Sequence, residues 1–468
     1  MKKERCRMKK IKIGFLPLYV KLYDDVDVDR KPLELFYEEI ATRFQEEYGF
    51  EVLKTPVCRL KEEFAAAVRA YEEQSADVIV TLHIAYSPSL ESAEVLCGTE
   101  LPIVILDTTE SFVFSPETNP DALMLNHGIH GVMDMCNLLK KGKKKYAIAA
   151  GHTSGDVLKR TADLVRAATA ARALHGSKTG LIGGRFPGMG DFLIEEEKAK
   201  SRFGIEILHA DNAELKSLAE SVTEAEIAVE KNVYTEKYVC AGDMGEELLS
   251  LSVRACLAVR KWLEKHELDA FSLNFLDINK ENLSTVPFVE CCEAMRRGIG
   301  YAGECDGLTA SFVGAISKGF EQNSFAEIFC PDWKDDRLFI SHMGEMNYAV
   351  ADGKPVLSPC EFIYTDADDC YKGYARFKGG KAVFCNVFNT GDEEWKLLLS
   401  DIEMQTVKMD TFAQSIRGWF KPTGSSVPAF LEAISEAGGT HHSFIVYDVD
   451  VKALKYFGEL LNLKVQVI

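Results

Sequence analysis

Four residues in the last third of the chain have types that could do chemistry together. They are Glu304 in GYAGECDGLT, Glu327 in SFAEIF, His342 in FISHMGEM and His442 in GGTHHSF. Two carboxylates and two imidazoles make a ligand set for one divalent cation; Mn2+, Mg2+, Co2+ and Zn2+ all accept it, and its oxygens lean to the harder ions. The same carboxylates suit proton transfer beside a carbonyl. One removes the alpha proton, and the other returns it or shuttles the hydroxyl proton. A cation there would bind the carbonyl and hydroxyl oxygens and stabilise a developing enediolate. No HExxH, CxxC or GxSxG is present, so no local spacing demands a metal or a covalent nucleophile. Taken singly, a Glu or His in a long chain is more often structural. His441-His442 stands out because Gly438-Gly439 forms a turn through which two imidazoles can approach one place.

Bulk properties narrow the classes. A chain of 468 residues is too long for one core, so two or three domains are expected. The net charge of −18 disfavours a role built on phosphate contacts, and a neutral sugar would be indifferent to it. The 13 cysteines are odd in number and scattered, which predicts reduced thiols and a cytoplasmic protein. There is no secretory h-region and no apolar run of about 18 residues, so neither a signal peptide nor a membrane span is expected. The basic opening MKKERCRMKK reads as a short leader, with Met8 as an alternative start.

The elements that must position these residues change in texture along the chain. Ile11–Leu16, Phe50–Leu53, Val78–Thr81 and Ile103–Leu106 read as strands, separated by helical patterns at Leu33–Tyr48 and Lys61–Glu73. That alternation predicts a doubly wound parallel sheet, with ligands at its carboxyl edge. Tyr23, His83, Tyr86, His127 and His130 are expected in loops at that edge. A second αβ run follows: helix Gly155–Ala173, strands Thr179–Gly183 and Gly204–Leu208, helix Met244–His266 and strand Ala270–Phe275. After about Asn323 the chain turns β-rich, with strands at Arg337–Ser341, Tyr374–Phe377, Ala382–Val387 and Ser443–Tyr447, then helix Lys452–Leu461 and strand Lys464–Ile468. The expected architecture is α/β: two doubly wound parallel-sheet domains (8–174 and 175–322) and a β-rich C-terminal domain (323–468). GLIGGRFPGMG lacks the GxGxxG register and reads as a substrate loop. Cys291-Cys292 reads as core packing, and Lys140 to Lys145 as a solvated helix end. Cys305, beside Glu304, reads as open to oxidation but without a catalytic role.

Four segments in this order resemble the active-site blocks of the L-arabinose/L-fucose isomerase superfamily. GECD resembles a Gly-Glu-x-Asp block that opens a helix, SFAE a Ser-Phe-x-Glu segment, SHM a Ser-His-Met block and GGTHH a Gly-Gly-x-His-His block. The resemblance implies an aldose–ketose isomerase. Glu304 and Glu327 would be acid/base residues and metal ligands, completed by His342 and His442, with Mn2+, Co2+ or Mg2+ as cofactor. Thinner matches upstream imply substrate contacts at Tyr23 (LYD), Tyr86 (AYSPS), His127 and His130 (LNHGIHG), Met189 (RFPGM) and Phe275 (NFLD). They also imply a homo-oligomer, hexamer or trimer, whose pocket is shared between subunits.

Departures from the family pattern concern the sugar. His127 stands where arabinose isomerases usually carry an amide. Cys305-Asp306-Gly307-Leu308-Thr309 replaces their Gly-Asp-Trp-Lys-Thr run and is closer to the fucose-type enzymes. The expected substrate is therefore an L-arabinose-like pentose or an L-fucose/D-arabinose-like sugar. Two alternatives are a sugar-binding or regulatory protein that kept the fold without catalysis, and a metal-dependent epimerase.

Overall fold

In a computed structural model, the described residues are 10–25, 29–192, 195–241, 245–391 and 394–468. Met8, the alternative start, and Met244, the expected first residue of a helix, lie outside them. The chain divides into two compact units. The first is Met1–Arg172 with Lys452–Asn462, and the second is Ala173–Val451 with Leu463–Ile468.

The first unit is built on five parallel strands: β1 (Lys12–Leu18), β2 (Glu51–Lys54), β3 (Val78–His83), β4 (Ile103–Asp107) and β5 (Tyr146–Ala150). Their order is β2-β1-β3-β4-β5. Its helices are α1 (Lys21–Asp25), α2 (Lys31–Glu46), α3 (Lys61–Glu73), α4 (Ser89–Gly98), α5 (Leu123–Asn126), α6 (Gly128–Lys141) and α7 (Val157–Leu174). Alternate residues of β1 serve opposite faces. Phe15 stacks on Tyr37 and meets Phe44 edge-on, both from α2. Leu16 and Leu18 join Phe64, Val68, Leu96, Val132 and Met135 of α3, α4 and α6 in one core. The strand order reverses between β1 and β3, so the loops after these two strands diverge and leave a crevice at the carboxyl edge.

The second unit begins with a parallel sheet of order β10-β9-β6-β7. Its strands are β6 (Lys178–Ile182), β7 (Glu206–His209), β9 (Ala270–Leu273) and β10 (Gly300–Gly303), while β8 (Val239–Cys240) joins another sheet. The intervening helices are α8 (Glu196–Phe203), α9 (Asn212–Glu220), α10 (Glu224–Lys237), α11 (Glu246–His266), α12 (Phe288–Arg296) and α13 (Gly307–Ser317). β10 accepts α13 at very close range. A Cβ on Gly300 would come within 2.2 Å of the Ala310 carbonyl oxygen and the Gly314 nitrogen.

The remainder is the expected β-rich part. β11 (Asn323–Asp332), β12 (Arg337–Ser341), β15 (Gly380–Asn389), β16 (Trp395–Met404), β17 (Gly418–Pro422) and β18 (His442–Tyr447) close on themselves in the order β15-β18-β11-β12-β17-β16-β15, every pair antiparallel. β13 (Val356–Cys360) and β14 (Cys370–Tyr374) pair with β8. α14 (Val427–Ala437) leads into β18. Near the end, α15 (Val451–Leu460) is assigned almost wholly to the first unit, where Tyr456 donates its hydroxyl to the Ile103 carbonyl at 2.8 Å. β19 (Lys464–Val467) then runs parallel to β16 of the barrel.

Local expectations are corrected in four places. The strand expected at Tyr374–Phe377 is instead β14, Cys370–Tyr374; Arg376 and Phe377 make only isolated bridges. β13 pairs with 370–374, and beyond it Arg376 makes ion pairs with Asp352 and Asp410. Tyr23 lies in a short helix, His83 ends β3 and His130 lies in the first turn of α6, so none of the three is a loop residue. The lysine run is not wholly solvated, because Lys144 donates to the Thr99 carbonyl and Lys145 to Asn462. Cys305 is shielded. Burial pushes its thiol up to about 12, which disfavours the reactive thiolate. The paired cysteines 291 and 292 are fully buried in α12, as expected.

Candidate metal centre

Strand register assembles three of the four residues. Glu327 on β11 lies directly opposite His442 on β18 and, on its other side, opposite Ser341 at the end of β12. His342 follows Ser341 immediately, so both imidazoles flank one carboxylate. Glu327 Oε1 is 3.1 Å from His342 Nε2 and 3.0 Å from His442 Nε2. The Phe325 ring stands edge-on to both imidazoles, at 4.9 and 5.2 Å.

Glu304 arrives from the carboxyl edge of the parallel sheet. It follows β10 in a turn where Glu304 and Cys305 both have φ near +63°. That left-handed conformation is strained for side chains with a Cβ. It aims the carboxylate inward, with Glu304 Oε2 3.3 Å from His442 Nε2. Gly303, just before it, is required by His342: a Cβ there would come within 2.6 Å of the imidazole Cε1.

A second ring of acids fixes the imidazoles. Asp306 caps α13 by accepting from the Thr309 N–H at 2.9 Å, and its other oxygen accepts from His442 Nδ1 at 2.9 Å. Glu345 accepts from His342 Nδ1 at 2.6 Å, from the Gly344 N–H and from the Tyr301 hydroxyl. A carboxylate on Nδ1 turns Nε2 toward the centre as a ligand atom. The turn before β18 is held as well. Gly438 has φ +81° and closes α14, and Asn386 donates to the Thr440 and His442 carbonyls.

Burial opposes ionisation throughout this cluster, yet its charges overcome it. Glu345 and Glu327 lift His342 to about 10, and Asp306, Glu304 and Glu327 hold His442 well above its usual range. The histidines in turn bring Glu304 down to about 2 and Glu327 lower still. Glu304 Oε2, Glu327 Oε1 and His442 Nε2 are buried without a hydrogen-bond partner. Three convergent orphan donors of this chemistry suit a divalent cation. One atom each of Glu304, Glu327, His441 and His442 lie within 4.8 Å of one another. His342 touches Glu327 from outside that group, and His441 takes the fourth place.

The loop after β6 covers this centre. Phe192 lies parallel to His442, with centroids 4.5 Å apart at 11°. Asp191 accepts from both the backbone N–H and Nδ1 of His441. At the loop's start, Asp277 accepts from the Gly184 N–H at 2.7 Å, and Asn274 donates to the Gly184 carbonyl. Met189 is half-buried in this loop. Phe275 is buried and meets Phe186, Phe362 and Tyr364.

In the first unit, the crevice at the strand reversal gathers the other four expected residues. Tyr23 follows β1 and bonds His127 through its hydroxyl. The Tyr86 ring, after β3, stacks on His127 at 6.2 Å and meets His130 at 4.9 Å. His83 lies fully buried, and neither ring nitrogen has a hydrogen-bond partner. Gly128 and Gly131 let α6 rest on it: a Cβ on Gly131 would sit 2.5 Å from the His83 ring.

Sequence reasoning missed Asp191, Asp306, Glu345, Asn386 and Phe192 as parts of the centre, whereas the glycine turn had already singled out His441 with His442. Glu345 sits three residues after His342, which it bonds, so that contact was a readable signal; Asp306 bonds His442 across 136 residues. Asp191 lies 250 residues from His441 and gave none.

Residues 194–319 match the L-arabinose isomerase central domain, and residues 322–464 match its C-terminal domain. The protein belongs to the arabinose isomerase superfamily. The L-arabinose isomerases of Salmonella arizonae and Escherichia fergusonii are each 22% identical over 413 residues, which is 85% of this chain and 82% of theirs. Among solved structures, a periplasmic solute-binding protein from Actinobacillus succinogenes 130z with bound D-allose matches at 13% identity over 66% of this chain and 91% of that one. The TM-score is 0.18. Among the described residues, no helix is long and apolar enough to cross a membrane.

Proposed function

We propose that the protein is an aldose–ketose isomerase acting on an L-arabinose-like pentose or an L-fucose/D-arabinose-like sugar. The observation that carries this reading is the convergence of three orphaned, buried donor atoms from Glu304, Glu327 and His442 at the meeting of barrel and parallel sheet, in a chain of this superfamily. Glu304, Glu327, His342 and His442 would hold a divalent cation, Mn2+ first, with Co2+ or Mg2+ as alternatives. When bound, it would polarise the sugar carbonyl and hydroxyl oxygens.

The chain's own residues then move two protons. One carboxylate takes the proton from C2 of the open-chain aldose and delivers it to C1. The other passes the hydroxyl proton between the two oxygens, which completes the ketose. Glu304 and Glu327 suit this pair because an oxygen of each lies within 4.8 Å of the other, on either side of His442 Nε2. Asp306 and Glu345 keep the imidazoles in the ligating orientation. Phe192, stacked on His442, shields the centre from water, and Met189 and Phe275 would contact the sugar.

Tyr23, Tyr86, His127 and His130 would bind sugar hydroxyls from the first unit of a neighbouring subunit, in a trimer or hexamer. The twelve cysteines among the described residues are free, which supports a cytoplasmic setting.

The test is NMR in D2O with a panel of aldopentoses and 6-deoxyhexoses, with and without Mn2+, the metal being stripped before spectra are recorded. Metal-dependent deuterium entry with formation of a ketose is the expected result. An epimeric aldose product would replace this reading with an epimerase. Sugar binding with no exchange on any sugar would replace it with a non-catalytic binding protein.

A further inference from the structure

We propose that Cys360 and Cys370 form a reversible disulfide that clips the neck of a loop packed behind Phe275. Its effect on the sugar rests on the isomerase reading above. The two residues are the last rung of the β13–β14 ladder, directly opposite each other. The carbonyls of Pro355 and Leu357 accept from the Val239 and Ala241 N–H groups, so the main-chain groups of residues 356, 358 and 360 face β14. Tyr371 N–H accordingly turns away from β13, to the Ser252 hydroxyl at 3.0 Å. Cys360 and Cys370 therefore make a hydrogen-bonded rung, in which Cα atoms lie about 5.5 Å apart. A disulfide spans about 5.5–6 Å between Cα atoms, so this bond needs no movement of either strand.

Both thiols are free, and they hydrogen bond to each other. Cys370 is fully buried, whereas Cys360 is half-buried and open to a small oxidant. Cys370 and Lys372, two apart on β14, share a face. The Cys370 thiol first, and then the Lys372 ammonium, lower Cys360 against its own burial. Burial raises the thiols of Cys256, Cys292 and Cys305 instead. The thiolate is the nucleophile, so Cys360 reacts first. With hydrogen peroxide, its sulfur bonds to one oxygen as the O–O bond breaks, and the departing hydroxide takes up the proton that Cys360 shed. The Cys370 sulfur then bonds to that of Cys360 as the S–O bond breaks, and the hydroxyl leaves with the Cys370 proton as water. Two thiols are oxidised, and one peroxide is reduced to two waters.

Residues 361–369 leave the ladder at this rung and cover Phe275. The buried Phe362 ring lies 6.5 Å from that of Phe275, and Tyr364 meets it at 5.3 Å. Hydrogen bonds tie the loop down: Thr365 Oγ1 donates to the Ile278 carbonyl at 2.6 Å, and Asp368 N–H to the Ser284 carbonyl at 2.8 Å. Across the neck, Asp369 accepts from the Phe362 N–H at 3.0 Å. A disulfide adds a covalent tie at the same neck, which restricts the loop and fixes the aromatic wall behind Phe275.

The experiment compares the full chain treated with stoichiometric hydrogen peroxide against the same protein kept in dithiothreitol. Peptide mapping without reduction should find Cys360 joined to Cys370, and dithiothreitol should undo the bond. Amide exchange across residues 361–369 should slow about tenfold on oxidation. KM on the sugar that the protein turns over should fall about threefold, because the wall is preorganised, with kcat and Mn2+ affinity unchanged. Cys360→Ser should lose all of these responses. Cys370→Ala should stop at the sulfenic acid on Cys360, which dimedone traps.

A disulfide between other cysteines, or oxidation of the exposed Cys240 and Cys330 while Cys360 stays a thiol, would overturn the proposal. So would a bond between Cys360 and Cys370 that leaves loop exchange or KM unaltered. If the reduced protein turns over sugar but no such bond forms, the proposal fails and the isomerase reading stands. If no sugar is turned over in either redox state, the isomerase reading fails, while peptide mapping and loop exchange still decide the clip.

Discussion

Single atoms decide this centre. If Glu304 and Glu327 move the protons, Glu304→Gln and Glu327→Gln keep the shape of the site and remove only the base. Each should lower kcat by about a thousandfold with an unchanged melting temperature. Near-normal turnover by either variant on a confirmed sugar would end its assignment. Gly303 offers a quieter test. An alanine there intrudes on His342, so Gly303→Ala should weaken Mn2+ binding by about 10- to 100-fold while the fold survives. Unaltered affinity in a calorimetric titration would show that His342 does not contribute. Residue types were legible in the sequence because acids and histidines recur in four recognisable blocks. The glycine under His342 was not, since close approach depends on a neighbour from another strand.

At the scale of elements, β3 and α6 form a joint whose centre is a buried imidazole. Burial brings His83 down to about 3, with Asp134 only partly opposing it, so the folded protein keeps this ring neutral. The unfolded chain takes up a proton below about pH 6.5, and the folded chain does not until about pH 3. The stabilising contribution of His83 is therefore whole above 6.5 and drains away as pH falls through that window, by about 1.4 kcal/mol per pH unit. His83→Gln removes the slope. Between pH 7 and 4.5, it should gain about 2–3 kcal/mol on the wild type in denaturant unfolding. An equal stability difference at both pH values would refute the assignment. Strands and helices of the parallel sheets were readable, because fully covered strands are short apolar runs between helical patterns. The pairing that closes the barrel was not. β15 meets β16 in a local hairpin, but β11 meets β18 across more than a hundred residues, and no periodicity carries that information. Tyr374 shows the same limit. Its strand runs backward to Cys370 because β13 pairs there, and the apolar pattern alone pointed forward.

For the whole molecule, the prediction concerns complementation between subunits. If Tyr23, Tyr86, His127 and His130 act on a neighbour's metal centre, two inactive variants can repair each other. His130→Ala and Glu327→Gln chains, unfolded and reassembled together, should regain a share of wild-type activity that neither has alone. Activity that never exceeds the sum of the separate variants would place the entire pocket within one chain. Only the family resemblance supplied this expectation, since oligomer geometry leaves no pattern in a single sequence.

The late return of α15 to the first unit sets a timetable for biosynthesis. Tyr456 reaches its partner Ile103 across 353 positions of sequence, so the first sheet leaves the ribosome long before the helix that will complete it. At roughly 5–20 residues per second, the intervening stretch takes about 20 to 70 s to translate. Throughout that interval, the nascent first unit carries an apolar seam with nothing to cover it. A premature stop just before residue 452 should therefore be more damaging than the small loss of mass suggests.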